Sequence, residues 1–194
     1  MTIFRVFPLL MILTLVACAT PPAQETPIAD RRDVTALRDA ILSLGDGIDP
    51  EEALRAARIA YRYTRQLAQE YQFTDPPLIH NAKVHLGLRP RGLCYHWAED
   101  IEARLLEEDF RTLDMHRAIA PETLFRIEHS TAIISRKGDV YSEGIILDPW
   151  RTGGTLHWTR VTDDTDYEWL PHVEVLDSRW QSQQARQQLS TMSP

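Results

Sequence analysis

Apolar residues recur at helical spacing through the first half of the chain and at strand spacing after it. Val34, Leu37, Ile41 and Leu44 trace one helix face, and Gly45 follows as a stop. Asp49-Pro50-Glu51-Glu52 reads as a helix start: a capping Asp, Pro at the first helical position and Glu at the third. Leu54, Ala57, Tyr61, Thr64, Ala68 and Tyr71 then mark one stripe of a long helix. Asp75-Pro76 opens a third helix running to about Gly87, and the segment "RPRG" at 89–92 breaks the chain. A fourth helix begins near Leu93. Its apolar face carries Cys94, Trp97, Ala98, Ile101 and Leu105, with Glu99, Asp100, Glu102, Glu107 and Glu108 largely off that face.

The texture changes after about residue 110. Leu113, Met115, Arg117 and Ile119 alternate with their neighbours, "EHSTAIIS" and "GIILDPW" are rich in β-formers, and "LHWTRV" and "HVEVL" are weaker strand candidates. Helices first and strands second predict an α+β domain with an antiparallel sheet. The acidic "DDTD" at 163–166 reads as a polar turn, and it lacks the twelve-residue calcium-loop pattern. The tail "QSQQARQQLSTMSP" is polar and is expected to fray.

The 194 residues suit one domain, and the composition is 43% hydrophobic and 25% charged, ordinary for a globular chain. A net charge of −7 argues against a general nucleic-acid surface, which needs a basic stripe. The first residues, "MTIFRVFPLLMILTLVAC", combine Arg5 with an apolar run from Val6 to Ala17, too short for a comfortable membrane span and suited to a signal peptide. Leu15-Val16-Ala17-Cys18 resembles a bacterial lipoprotein cleavage box. The resemblance implies cleavage before Cys18, a lipid on its sulfur and a membrane anchor. Ala19 in the second mature position is similar to the sorting pattern for an outer-membrane lipoprotein facing the periplasm. An ordinary secretory signal with a chance cysteine is the plainer alternative. The expected organisation is a signal peptide over 1–17, a Pro/Ala/Thr-rich tether over 18–30, one domain over 31–180 and a polar tail over 181–194.

Of the two cysteines, Cys94 has no partner within the chain once Cys18 carries lipid. A lone cysteine in an oxidising compartment is expected to be buried or used. An ordinary thiol, with a pKa of about 8.5, is only a few per cent ionised at neutral pH, and a helix N-terminus favours the thiolate. Cys94 falls in such a first turn, with Gly92 just before it allowing a close backbone approach to a substrate. A nucleophilic cysteine also needs a histidine and a group that orients it. Among seven histidines His129 stands out, because it starts the strand "HSTAIIS". If Gly138-Asp139 forms a two-residue hairpin loop, Lys137 pairs with Val140 and His129 lies directly opposite Asp148, with Cβ atoms about 5 Å apart. Ser142-Glu143-Gly144 is the place where a bulge or longer loop would alter that ladder.

"GLCYHWA" is similar to the Gly-x-Cys-x-x-aromatic-Ala signature of papain-like and transglutaminase-like proteins, and "EHS" and "LDPW" resemble the transglutaminase-like His and Asp motifs. The order and compact spacing are closest to bacterial transglutaminase-like cysteine proteinases. The resemblance covers about residues 75–150. It implies a papain-like fold, with the nucleophile at a helix N-terminus packed on an antiparallel sheet. It also implies Cys94 as nucleophile, His129 as general acid/base, Asp148 as orienter, no cofactor, and a protein or peptide substrate in the cell envelope. Two positions depart from the relatives. Leu93 stands where transglutaminases often have Gln, and Leu88 where papain-like enzymes keep an oxyanion-hole Gln; Asn81, His80 and His85 lie upstream.

Each residue also has an ordinary reading. Cys94 can be a small buried hydrophobe, His129 a surface histidine, and Asp148-Pro149 a turn. His96 suits a capping or surface role, and its spacing from Cys94 supports no metal pair. Trp97 and Trp150 are expected to be core walls. A cysteine peptidase or amidase is the expected activity. A transglutaminase, a cell-wall amidase and a catalytically inactive binding lipoprotein stay open beside it.

Overall fold

The structure is a computed structural model that describes residues 28–192. The expected signal peptide, Cys18 and the expected tether up to residue 27 lie outside the described residues. Helix α1 spans Ile28–Leu42, so it takes in the last three residues assigned to the tether. Val34, Leu37 and Ile41 bury its predicted face. Helix α2 (Pro50–Glu70) starts as the sequence dictates: the Asp49 side chain accepts a hydrogen bond from the Glu51 N–H at 2.8 Å, and Pro50 takes the first helical position. Its buried face is rotated from the predicted stripe. Ala53, Ala56, Ala57 and Ala60 lie innermost, while Leu54 and Tyr61 are half-buried. Small side chains bring α1 and α2 close, which larger ones on that line would prevent. Glu52 is buried as well, and its carboxylate accepts hydrogen bonds from the Arg111 and Thr112 N–H groups and the Thr112 hydroxyl. That ties α2 to the start of the sheet.

Helix α3 (Pro77–His85) begins one residue after Pro76, and α4 spans Cys94–Leu106. Trp97, Ala98, Ile101 and Leu105 of α4 are buried, as their spacing predicts, and Cys94 is half-buried at the helix start. The sheet is a meander of β1 (Leu113–Ala120), β2 (His129–Arg136), β3 (Ile145–Asp148) and β4 (His157–Arg160), with the short β5 (Leu170–Pro171) on the far side of β1. Every pairing is antiparallel. Both faces are covered. Ala132, Ile134, Ile145 and Leu147 pack toward the helices, and Ala118, Ala120, Ile133, Ile146 and Trp169 form a second cluster. Burial on two faces explains why β2 and β3 read as apolar runs rather than alternations. The molecule is thus α+β, helices on an antiparallel sheet.

Two expectations are corrected. The β2–β3 ladder pairs Ala132 with Leu147 and Ile134 with Ile145, two residues away from the register that a two-residue loop would impose. The connection is longer because Tyr141–Glu143 forms a 3₁₀ turn. Gly144 then passes so close to β2 that an added Cβ would meet Ile133 Cγ2 at 2.6 Å and the Ile134 carbonyl oxygen at 2.7 Å. A shift of two preserves the side-chain face, so His129 and Asp148 stay together, as diagonal rather than direct neighbours. The second correction concerns "HVEVL", which opens helix α5 (His172–Met192) instead of a strand. Val173 and Leu176 fall at helical spacing with Trp180, and the Gln-rich stretch that follows continues the helix to Met192. No helix among the described residues is long and apolar enough to cross a membrane.

Candidate active site

The segment leading into Cys94 is fixed at each residue. The Arg91 carbonyl lies 2.8 Å from His80 Nε2, Trp97 Nε1 donates to the Gly92 carbonyl at 3.2 Å, and the Gly92 and Leu93 N–H groups both donate to His96 Nδ1 at 3.2 Å. His96 therefore caps α4, the role its position suggested. Burial, and then the nearby Arg91 charge, hold its pKa below the usual histidine range, which suits a ring nitrogen that accepts two hydrogen bonds. Gly92 has φ +119°, and a Cβ there would come within 2.3 Å of His80 Nε2. A close approach that demands glycine is thus made to His80.

The three residues singled out from the sequence converge where the first turn of α4 meets the first residue of β2. The Cys94 thiol is free, and its Sγ makes a long 3.9 Å contact with the Glu128 carbonyl. His129 is fully buried, and its Nε2 donates to Asp148 Oδ2 at 2.6 Å. Its Nδ1 has no hydrogen-bond partner. Burial pushes the His129 pKa down. The charge and hydrogen bond of Asp148, with a contribution from the adjacent Cys94 side chain, overcome this and bring it up to about 9. Asp148 is buried too. Its desolvation is outweighed by His129 and Arg151, which hold the carboxyl below the usual range. The structure thus pairs an imidazole and a carboxylate away from water and leaves the second ring nitrogen unused beside a thiol.

Four further residues complete the site and went unread in the sequence. Arg151 Nε donates to the same Asp148 Oδ2 at 2.7 Å, and its guanidinium also donates to both Asp164 oxygens, at 3.2 and 2.7 Å. Trp169 Nε1 donates to Asp164 Oδ2 at 2.8 Å. The Tyr167 and Trp169 rings lie 4.7 and 5.6 Å from the His129 ring, with Trp150 at 4.8 Å. Arg151 sits over Tyr167 at 4.8 Å. The "DDTD" turn is therefore no simple solvated loop, since Asp164 anchors the aromatic cover of His129. Arg151 follows Asp148 by three residues, a spacing that carried a signal. Asp164 carried none, since only folding brings it to Arg151.

Trp97 and Trp150 are buried walls, as expected. Of the upstream polar residues, His80 stacks on Phe73 at 4.0 Å, His85 is exposed at the end of α3, and Asn81 Oδ1 accepts from Trp150 Nε1 at 3.0 Å. Leu88 is exposed and Leu93 half-buried. Among the described residues, no group of three His, Cys, Asp or Glu side chains is placed to hold a metal ion. Comparison with family models, curated proteins and solved structures gave no match.

Proposed function

We propose that this protein is a thiol-dependent acyl-transfer enzyme, most directly a cysteine peptidase or amidase. The observation that carries the proposal is the buried 2.6 Å contact between His129 and Asp148, with Nδ1 left over next to Cys94 at a helix start. In this reading the Cys94 proton rests on Nδ1 as an imidazolium–thiolate pair, in keeping with the raised His129 pKa, and the thiolate attacks an amide carbon. The tetrahedral intermediate collapses as Nδ1–H gives its proton to the leaving amine, and a Cys94 thioester remains. Water, deprotonated by Nδ1, then attacks the thioester and releases the acid and the thiol. Asp148 keeps the proton on Nε2 and stabilises the imidazolium. An amine in place of water would give transamidation by the same residues.

The proposal extends to the fold group and the location. A papain-like, transglutaminase-like arrangement fits a nucleophile at the start of α4 that faces a His and an Asp on neighbouring strands. Lipidation at Cys18 would place the domain in the cell envelope, on the outer membrane facing the periplasm, with a protein or peptide as substrate. A carboxylate as third member favours a peptidase over a cell-wall amidase, whose third member is usually a second histidine or another polar group.

The test is incubation of the full chain with a defined peptide mixture, scoring new peptide termini by mass spectrometry. Wild type is expected to generate them and Cys94→Ala to generate none. Equal termini from both proteins, or none from either, would contradict the proposal. A labelled primary amine in the same reaction separates transamidation from hydrolysis.

A further inference from the structure

The acyl-transfer reading leaves one chemical need unmet. The carbonyl oxygen of the substrate becomes an oxyanion when the thiolate adds, and such sites offer it two hydrogen-bond donors. The Cys94 N–H is one candidate, because it opens α4 and makes no hydrogen bond among the described residues. The positions where relatives keep a polar donor hold Leu88 and Leu93, neither of which can donate from its side chain.

Helix α3 touches both sides of the site. His80 is fully buried directly under Gly92, two residues before Cys94. The next residue, Asn81, accepts from the Trp150 indole, and the Trp150 ring packs on His129. Asn81 is therefore held between the segment that presents the nucleophile and the tryptophan that flanks the general base. Its orientation is set chemically. An indole N–H only donates, so the Asn81 oxygen must face Trp150 and the amide NH₂ must point away. That NH₂ group has no partner among the described residues. An amide fixed through its oxygen, with its donors free and its side chain half-buried on the helix that packs under Gly92, is a preorganised donor.

We infer that Asn81 is a catalytic residue whose carboxamide N–H joins the Cys94 N–H in stabilising the tetrahedral oxyanion. The inference rests on the acyl-transfer reading and names the donor that reading lacks. Asn81 makes no covalent bond to the substrate and transfers no proton, so its contribution is a hydrogen bond to the charge that develops on oxygen.

Two reactions at Cys94 separate this role from a structural one. Alkylation by iodoacetamide displaces iodide and forms no oxyanion, whereas acetylation by 4-nitrophenyl acetate passes through one. Both are followed by mass on the Cys94 peptide of the full chain, for wild type, Asn81→Ala and Asn81→Asp. The Asp variant keeps an acceptor for Trp150 and the side-chain volume but offers a charge where a donor stood. Loss of one oxyanion donor costs about 10²–10³ in rate in a full catalytic cycle, and acetylation by an activated ester is expected to slow by about tenfold or more. Alkylation in the same variants is expected to stay within about twofold of wild type. Acetylation as fast as wild type would overturn the inference. A parallel fall in both reactions would also overturn it, because Asn81 would then act on the thiol or on the fold. If wild-type Cys94 is not acetylated at all, the acyl-transfer reading itself fails, an outcome distinct from failure of the Asn81 assignment.

Discussion

His129 and Asp148 show how burial and pairing oppose each other within one contact. Removing either from water disfavours its charge, yet their mutual attraction outweighs this in both, and Arg151 adds to it at Asp148. The His129 pKa is raised, so its contribution to stability is fully present below the unfolded value of about 6.5 and is lost as pH rises through about 9. The Asp148 pKa is depressed, so its contribution is present above about 3.9 and is lost as pH falls further. The stability difference between wild type and Asp148→Asn, measured by urea unfolding, is therefore expected to be largest between about pH 4 and 6.5. It should shrink steadily up to about pH 9.5. Catalysis follows the same proton. The leaving amine needs Nδ1–H, so peptide cleavage is expected to decline as pH rises through about 9. In Asp148→Asn that alkaline limb should move to lower pH, which a pH–rate profile would show directly.

At the scale of elements, the site depends on how α4 begins and how β2 meets β3. Gly92→Ala would force a positive φ on alanine and drive its Cβ into His80. A loss of more than about 2 kcal/mol in urea unfolding is expected, together with slower alkylation of Cys94. Much of this layer was legible. The Asp49-Pro50 start and the Trp97/Ile101/Leu105 face are governed by local rules, and the structure follows them. The β2–β3 register was not. Gly138-Asp139 looked like a complete turn, and nothing in that dipeptide reports that Tyr141–Glu143 will coil before β3 begins. His129 and Asp148 met anyway, because a slip of two residues leaves side chains on the same face. The first residues of α5 were misread for a related reason. "HVEVL" alternates over too few positions to distinguish a strand from the first turn of a helix.

Across the whole molecule, Arg151 links the sheet to the loop over it. It joins Asp148 at the end of β3 to Asp164, and Asp164 holds Trp169 above His129. Arg151→Met would leave Asp164 buried without its cation and is expected to cost about 3–5 kcal/mol in equilibrium unfolding. Adding Asp164→Leu should recover part of that loss, so a double-mutant cycle is expected to show coupling beyond about 0.5 kcal/mol. Strict additivity would mean that the pair does not strap the loop to the sheet. The central claim nevertheless turns on one sulfur. The most direct measurement is the rate of Cys94 alkylation by iodoacetamide against pH, for wild type and His129→Gln. An ordinary thiol, with a pKa of about 8.5, reacts slowly in acid. If His129 takes the Cys94 proton, wild type should react at least about tenfold faster than the variant near pH 6, and the two rates should converge above about pH 9. Superimposable profiles across the whole range would contradict the account.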